Sequence, residues 1–127
     1  MRHATHVRKR AEFERIQKGG ERVHTEHFVL ILARQEADGP ARLGITASRK
    51  IGGAVVRNRA KRLVRAAFRE CATWFAAGID VVVIVRKAPE NRRLGDVLAE
   101  WRAAASALER RQKSLLARPL QRANTHA

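Results

Sequence analysis

One segment constrains the fold more than any other: Ser48-Arg-Lys-Ile-Gly-Gly-Ala-Val-Val-Arg-Asn-Arg-Ala-Lys-Arg-Leu-Val-Arg-Ala-Ala-Phe-Arg69. At about 100° per residue, Val56, Ala60, Leu63, Val64, Ala67, Phe68, Cys71, Trp74 and Phe75 fall on one stripe, so a helix over roughly 55–75 has a side to bury. Arg57, Asn58, Lys61, Arg62, Arg65 and Arg69 gather beside that stripe within an arc of roughly 140°, and Arg59 alone points elsewhere. Between Gly39 and Arg69 there are nine Lys or Arg residues and not one Asp or Glu. A surface that only has to stay soluble mixes both signs, so this face is suited to a polyanion, RNA or DNA. Ile51-Gly-Gly53 precedes the helix. The glycines serve either a tight strand-to-helix turn or a phosphate held by backbone N–H groups, and the spacing leaves both open.

The rest of the chain supplies what the apolar stripe packs against. Val7 to Lys18 reads as a short helix with Phe13 and Ile16 on one side, closed by Gly19-Gly20. His27 to Ala33 is a buried strand, preceded by a short one near Val23. Gln35 to Pro40 carries turn residues, Asp, Gly and Pro in succession. Arg42 to Ser48 alternates. Leu43, Ile45 and Ala47 take one face, while Gly44, Thr46 and Ser48 make a small, polar face able to lie open to a ligand. Gly78 ends the central helix, and Ile79 to Arg86 is a β-branched run that predicts a strand covered on both faces. After Ala88-Pro89, a helix over Gly95 to Arg111 buries Leu94, Val97, Leu98, Trp101, Ala105 and Leu108. The order α-β-β-β-α-β-α is α+β, an α-β sandwich with helices packed on a small sheet. A chain of 127 residues fits one core. Its single domain spans 7–111, with flexible ends expected at 1–6 and 114–127.

A formal net charge of +15 again favours a polyphosphate partner. Cys71 is the lone cysteine, which excludes an internal disulfide; on the apolar stripe it reads as a buried, inert thiol. The N-terminus has cations with no apolar run behind them, unlike a signal peptide, and no stretch approaches the roughly 20 apolar residues of a membrane span. A cytoplasmic protein is expected. There is no phosphate-binding P-loop. His24 and His27, three apart in an extended segment, point to opposite faces and do not make a metal pair. No Ser-His-Asp set or carboxylate cluster declares itself, so no catalytic or metal-ligating residue is assigned. Phe13 stands apart from the other aromatics because Arg8, Lys9, Arg10 and Arg15 share its helix. An aromatic among cations can stack a base while the charges hold phosphates.

Ala54-Val-Val-Arg-Asn-Arg-Ala-Lys-Arg-Leu-Val-Arg-Ala-Ala-Phe-Arg69 closely resembles the protein component of bacterial ribonuclease P. The Arg57-Asn58-Arg59 core, followed by Lys61-Arg62, Arg65 and Phe68-Arg69, carries the likeness. Lys9-Arg10-x-x-Phe13, Phe28-Val-Leu30, Arg42-Leu-Gly-Ile45, Ser48-Arg-Lys-Ile-Gly52 and the Val81–Val85 strand agree with it, so it covers roughly Val7 to Arg111. Three positions depart: Gln17 and Ile31 stand where relatives often carry aromatics, and Ala66 replaces a frequent acid.

The resemblance implies an uncommon left-handed crossover between the strand before the motif helix and the strand after it; the general rule for such units predicts the opposite hand. It implies a subunit of a ribonucleoprotein endonuclease that removes the 5′ leader of precursor tRNA, with catalysis by the RNA and Mg²⁺ held mainly there. The partners are then ribonuclease P RNA and precursor tRNA, with no membrane and no protein partner required. By the same likeness Arg57, Asn58, Arg59, Arg62 and Arg69 bind the RNA subunit, and Phe13, Thr46, Ser48, Lys50, Lys61 and Arg65 line a cleft for the single-stranded leader. A structural RNA-binding protein, such as a ribosomal component of similar sandwich fold, is the competing reading. A DNA-binding module lacks a helix-turn-helix spacing or zinc pattern here.

Overall fold

The computed structural model describes His6, Val7 and residues 9–118. In chain order the elements are α1 (Arg10–Gly19), β1 (Glu21–His24), β2 (Phe28–Arg34), β3 (Arg42–Thr46), α2 (Ala54–Glu70), β4 (Ile79–Val85), α3 (Leu94–Ala103) and α4 (Ala105–Ala117). The strands form one sheet in the order β1-β2-β4-β3. β1 and β4 pair antiparallel with β2, while β3 pairs parallel with β4, Arg42 opposite Asp80 and Gly44 opposite Val82. The parallel pair is joined through α2, the crossover to which the resemblance assigns a left hand. His6 bridges Leu43 in parallel, and the Val7 N–H donates to the Leu43 carbonyl at 2.9 Å.

Alternation along the central strands divides the core in two. Phe28, Leu30, Leu32, Leu43, Val81, Val83 and Val85 pack with Ala60, Val64 and Ala67 of α2, Val97 and Trp101 of α3, and Leu108 and Leu115 of α4. Val29, Ile31, Ala33 and Val82 face the other way, under Val7, Ile16 and the half-buried Phe13. β4 is therefore covered on both faces, as its β-branched run predicts. A carboxylate intrudes on the second face. Asp80, fully buried, accepts two hydrogen bonds from Arg42 (2.9 and 2.8 Å) and one from Arg15 (3.2 Å).

The element order is the expected one, with corrections at its boundaries. The central helix stops at Glu70 and not near Phe75; the chain then makes a 3-10 turn at Ala72–Trp74. That turn lets Phe75 stack on Phe68, with ring centroids 5.2 Å apart. Val56, placed on the buried stripe, is 38% exposed; it lies in the first turn of α2, over Gly52. The last helix is broken at Ala104. No Gly or Pro marks the break; it allows Trp101 and Leu108, both fully buried, to reach the same sheet face. Order also continues past Ser114, since α4 runs to Ala117 and Leu115 anchors it in the core. Of the two expected flexible ends, His6 is tied to Leu43, while residues 1–5 and 119–127 lie outside the described residues. No described helix is long and apolar enough to cross a membrane.

Candidate nucleic-acid interface

α2 presents its cations because its other side is committed to the core. Ala60, Val64 and Ala67 are buried, spaced by three and four residues on the face against the sheet. Asn58, Arg62, Arg65 and Arg69 are exposed and Lys61 half-exposed, and none of their side chains bonds another described side chain or carbonyl. A row of cations with no internal counter-charge is held in water only by mutual repulsion being tolerated, which an incoming polyphosphate relieves.

Two arginines of the signature behave differently. Arg57 Nε donates to the Gly52 carbonyl at 3.1 Å. It fastens the turn in which Gly52 takes φ 151°, a backbone conformation that a side chain would strain. Arg59, the residue that the helical wheel turned away from the others, forks to the carbonyls of Pro89 (2.8 Å) and Arg92 (2.6 Å). It ties α2 to the loop between β4 and α3. Gly53 caps α2 with no side-chain bond, and no acid occupies the first turn. The positive end of the helix dipole is thus left uncountered there.

Beside this face, across edge strand β3, lies a depression of about 360 Å³ lined by His6, Val7, Phe13, Leu43, Gly44, Ile45, Lys61 and Arg65. α1 supplies one wall, α2 the other. A Cβ on Gly44 would sit 2.8 Å from the Phe13 ring, so only glycine lets that ring settle on the strand. The structure therefore brings Phe13, Lys61 and Arg65 together as a single site. Thr46, Ser48 and Lys50 lie further along the chain, outside that lining, with Ser48 and Lys50 exposed. His6, Val7, Gly44 and Ile45 were not singled out from the sequence as site residues. Gly44 alone had a signal, the small face it shares with Thr46. Ile31 is fully buried beneath α1 and Gln17 half-buried, so neither supplies a ring to the depression. Of the cations near Phe13, Lys9 and Arg10 are exposed, Arg15 is committed to Asp80, and Arg8 lies outside the described residues.

Elsewhere the chemistry is structural. Cys71 is buried, its thiol donates to the Ala67 carbonyl, and burial pushes its pKa up to about 11, the opposite of a nucleophile. Among the described residues, Glu26, His27 and Glu100 are the one group whose ligand atoms approach closely enough to hold a metal ion. Glu100, however, already accepts from Thr25 Oγ1 and from the His27 N–H and pairs with His27 Nδ1 at 2.8 Å, which fastens the β1–β2 turn to α3.

Known proteins similar to this chain share one family. The ribonuclease P family model matches residues 1–109. A ribonuclease P protein component from Syntrophus aciditrophicus is 37% identical over 100 residues, 79% of this chain and 83% of that one. Among solved structures, a ribonuclease P protein from Staphylococcus aureus superposes with a TM-score of 0.71 at 31% identity, covering 83% of this chain and 95% of its own. One from Thermotoga maritima gives 0.69 at 34%, covering 83% and 96%. With its signature helix, its sheet order and a family match over most of its length in agreement, the chain belongs to the ribonuclease P protein family.

Proposed function

We propose that this chain is the protein subunit of a ribonucleoprotein endonuclease that removes the 5′ leader of precursor tRNA. The observation that carries the reading is the junction of two surfaces: an internally unpaired cationic row on α2, and a depression in which Phe13 lies within one lining with Lys61 and Arg65. Arg62, Arg69 and Asn58 hold the folded RNA subunit, since arginine can both fork across phosphate oxygens and stack on bases. Arg57 supports them by holding the Gly52 turn, and Arg59 by holding the β4–α3 loop. Lys61 and Arg65 take leader phosphates while Phe13 stacks a base; both interactions tolerate any sequence. Thr46, Ser48 and Lys50 extend the leader path along the chain beyond the depression.

The lining of the depression is cationic, aromatic or apolar and offers no carboxylate, so it suits a phosphate and not a metal ion. In this reading Mg²⁺ is held mainly by the RNA subunit and supplies the hydrolytic chemistry there. The protein's part is to neutralise phosphate near the cleavage site and to hold the leader in place, lowering the Mg²⁺ that the RNA needs. The test is precursor-tRNA cleavage at low Mg²⁺ by a bacterial ribonuclease P RNA. Strong stimulation by the chain, which is inert alone, is expected. Tight RNA binding with no stimulation would favour a structural RNA-binding protein instead.

A further inference from the structure

We propose that Glu12, Arg42, Asp80 and Arg15 form a positioning device that sets the Phe13 ring over Gly44 and so sharpens the preference for precursor over mature tRNA. The inference rests on the leader-cleft reading and assigns to that site residues outside its lining. Arg42 stands opposite Asp80 in the β3–β4 pairing, one strand repeat before Gly44 on the same sheet face. It gives Asp80 two hydrogen bonds, 2.9 and 2.8 Å, and its remaining Nη1 reaches Glu12 at 3.2 Å. Arg15 adds a third bond to Asp80 at 3.2 Å and another to the Arg34 carbonyl at 3.4 Å. Glu12 and Arg15 both come from α1 and flank Phe13 in sequence.

A buried carboxylate needs compensation, and the bidentate Arg42 already supplies it. Arg15 adds to that compensation and Glu12, an acid bonded to Arg42, adds none, so the two α1 residues do something beyond neutralising Asp80. α1 has only one fully buried apolar side chain, Ile16, with the half-buried Phe13 beside it, and so little apolar packing does not by itself fix the rotation of the helix. Charged hydrogen bonds of Glu12 and Arg15, on the flank of α1 away from the Phe13 depression, stop the roll, because each requires its own direction. The close seat on Gly44, where a Cβ would meet the ring at 2.8 Å, means that a small rotation of α1 lifts the ring from the strand. The rim of the quartet borders a second depression, of about 480 Å³, on the other side of α1; Glu12, Arg15 and Arg42 line it, so Glu12 and Arg15 can be changed without opening the core.

The experiment measures affinities for precursor and mature tRNA in the reconstituted holoenzyme carrying Glu12→Gln, Arg15→Lys, Phe13→Ala, or Glu12→Gln with Phe13→Ala. Asp80→Asn is avoided as a fold risk. Glu12→Gln is expected to reduce the preference for precursor by about three- to tenfold, the scale of one partly exposed charged hydrogen bond. Mature-tRNA and RNA-subunit affinities should hold, and Arg15→Lys, which keeps the charge, should lose less. In the double variant Glu12→Gln should add nothing to Phe13→Ala, because it acts through that ring. Additive losses, or equal losses for both tRNAs, would overturn the proposal while leaving the cleft intact. If Phe13→Ala itself leaves the preference unchanged, the leader-cleft reading fails and this proposal with it.

Discussion

On one side of the sheet, α2, α3 and α4 bury Val64, Trp101 and Leu108 completely against β2 and β4. On the other, α1 buries one side chain completely, Ile16, and is fastened by charges around Asp80 and by the seat of Phe13 on Gly44. The first side is closed by apolar volume, which is strong and indifferent to small rotations. The second is held by directional contacts, which contribute less to stability but fix where a ring and a charge point. In the proposed reading, stability and recognition are thus placed on opposite faces, with α2 serving both through its two sides.

The comparison breaks most readily at Trp101. Trp101→Ala should cost ~3–5 kcal/mol by emptying the core under α3, whereas Phe13→Ala, losing a half-buried ring, should cost about 1 kcal/mol. Urea unfolding of both variants checks this, and equal losses would mean that α1 is as much a part of the core as α3. A smaller effect separates the two kinds of arginine on α2. Arg62→Ala should flatten the salt dependence of RNA-subunit binding by about one unit, as expected for a lost phosphate contact. Arg59→Ala should weaken binding with its slope unchanged, because its guanidinium is engaged by Pro89 and Arg92. Filter binding over a salt series decides between them.

The smallest effect concerns Glu100, which fastens the β1–β2 turn from α3. Burial pushes its carboxyl up, but the hydrogen bonds from Thr25, the His27 N–H and the His27 ring outweigh it and hold the group below the usual carboxylate range. A lowered folded pKa gives stabilisation that is complete above the ordinary value near 4.5 and fades as pH falls through the lowered one. Glu100→Gln should therefore be the less stable protein at neutral pH, with the gap to the parent closing in acid. Melting curves across that range test it, and a gap independent of pH would contradict the assignment.

Periodicity and turn residues made most of this architecture legible in the sequence. The β-branched run of β4, the alternation of β3 and the two-sided pattern of α2 each state which faces are covered. Even the outlying direction of Arg59 was visible at 100° per residue, although its acceptors were not, since Pro89 and Arg92 are 30 and 33 residues away and offer backbone carbonyls that no residue type announces. The Arg42–Asp80 pair was hidden for the same reason: a single Asp inside an apolar run gives no sign of which cations will meet it. His6 escaped because the partner that places it, Leu43, is set by strand pairing and not by local pattern. The break at Ala104 lies in a stretch of helix formers and is imposed by packing alone.

The most direct test of the leader cleft is to photocrosslink precursor tRNA carrying 4-thiouridine in its leader to the reconstituted holoenzyme and to map the modified peptides. Crosslinks are expected on α1 near Phe13, on β3 around Gly44 and Ile45, and on α2 at Lys61 to Arg65. Crosslinks confined to α3 and α4 would contradict it.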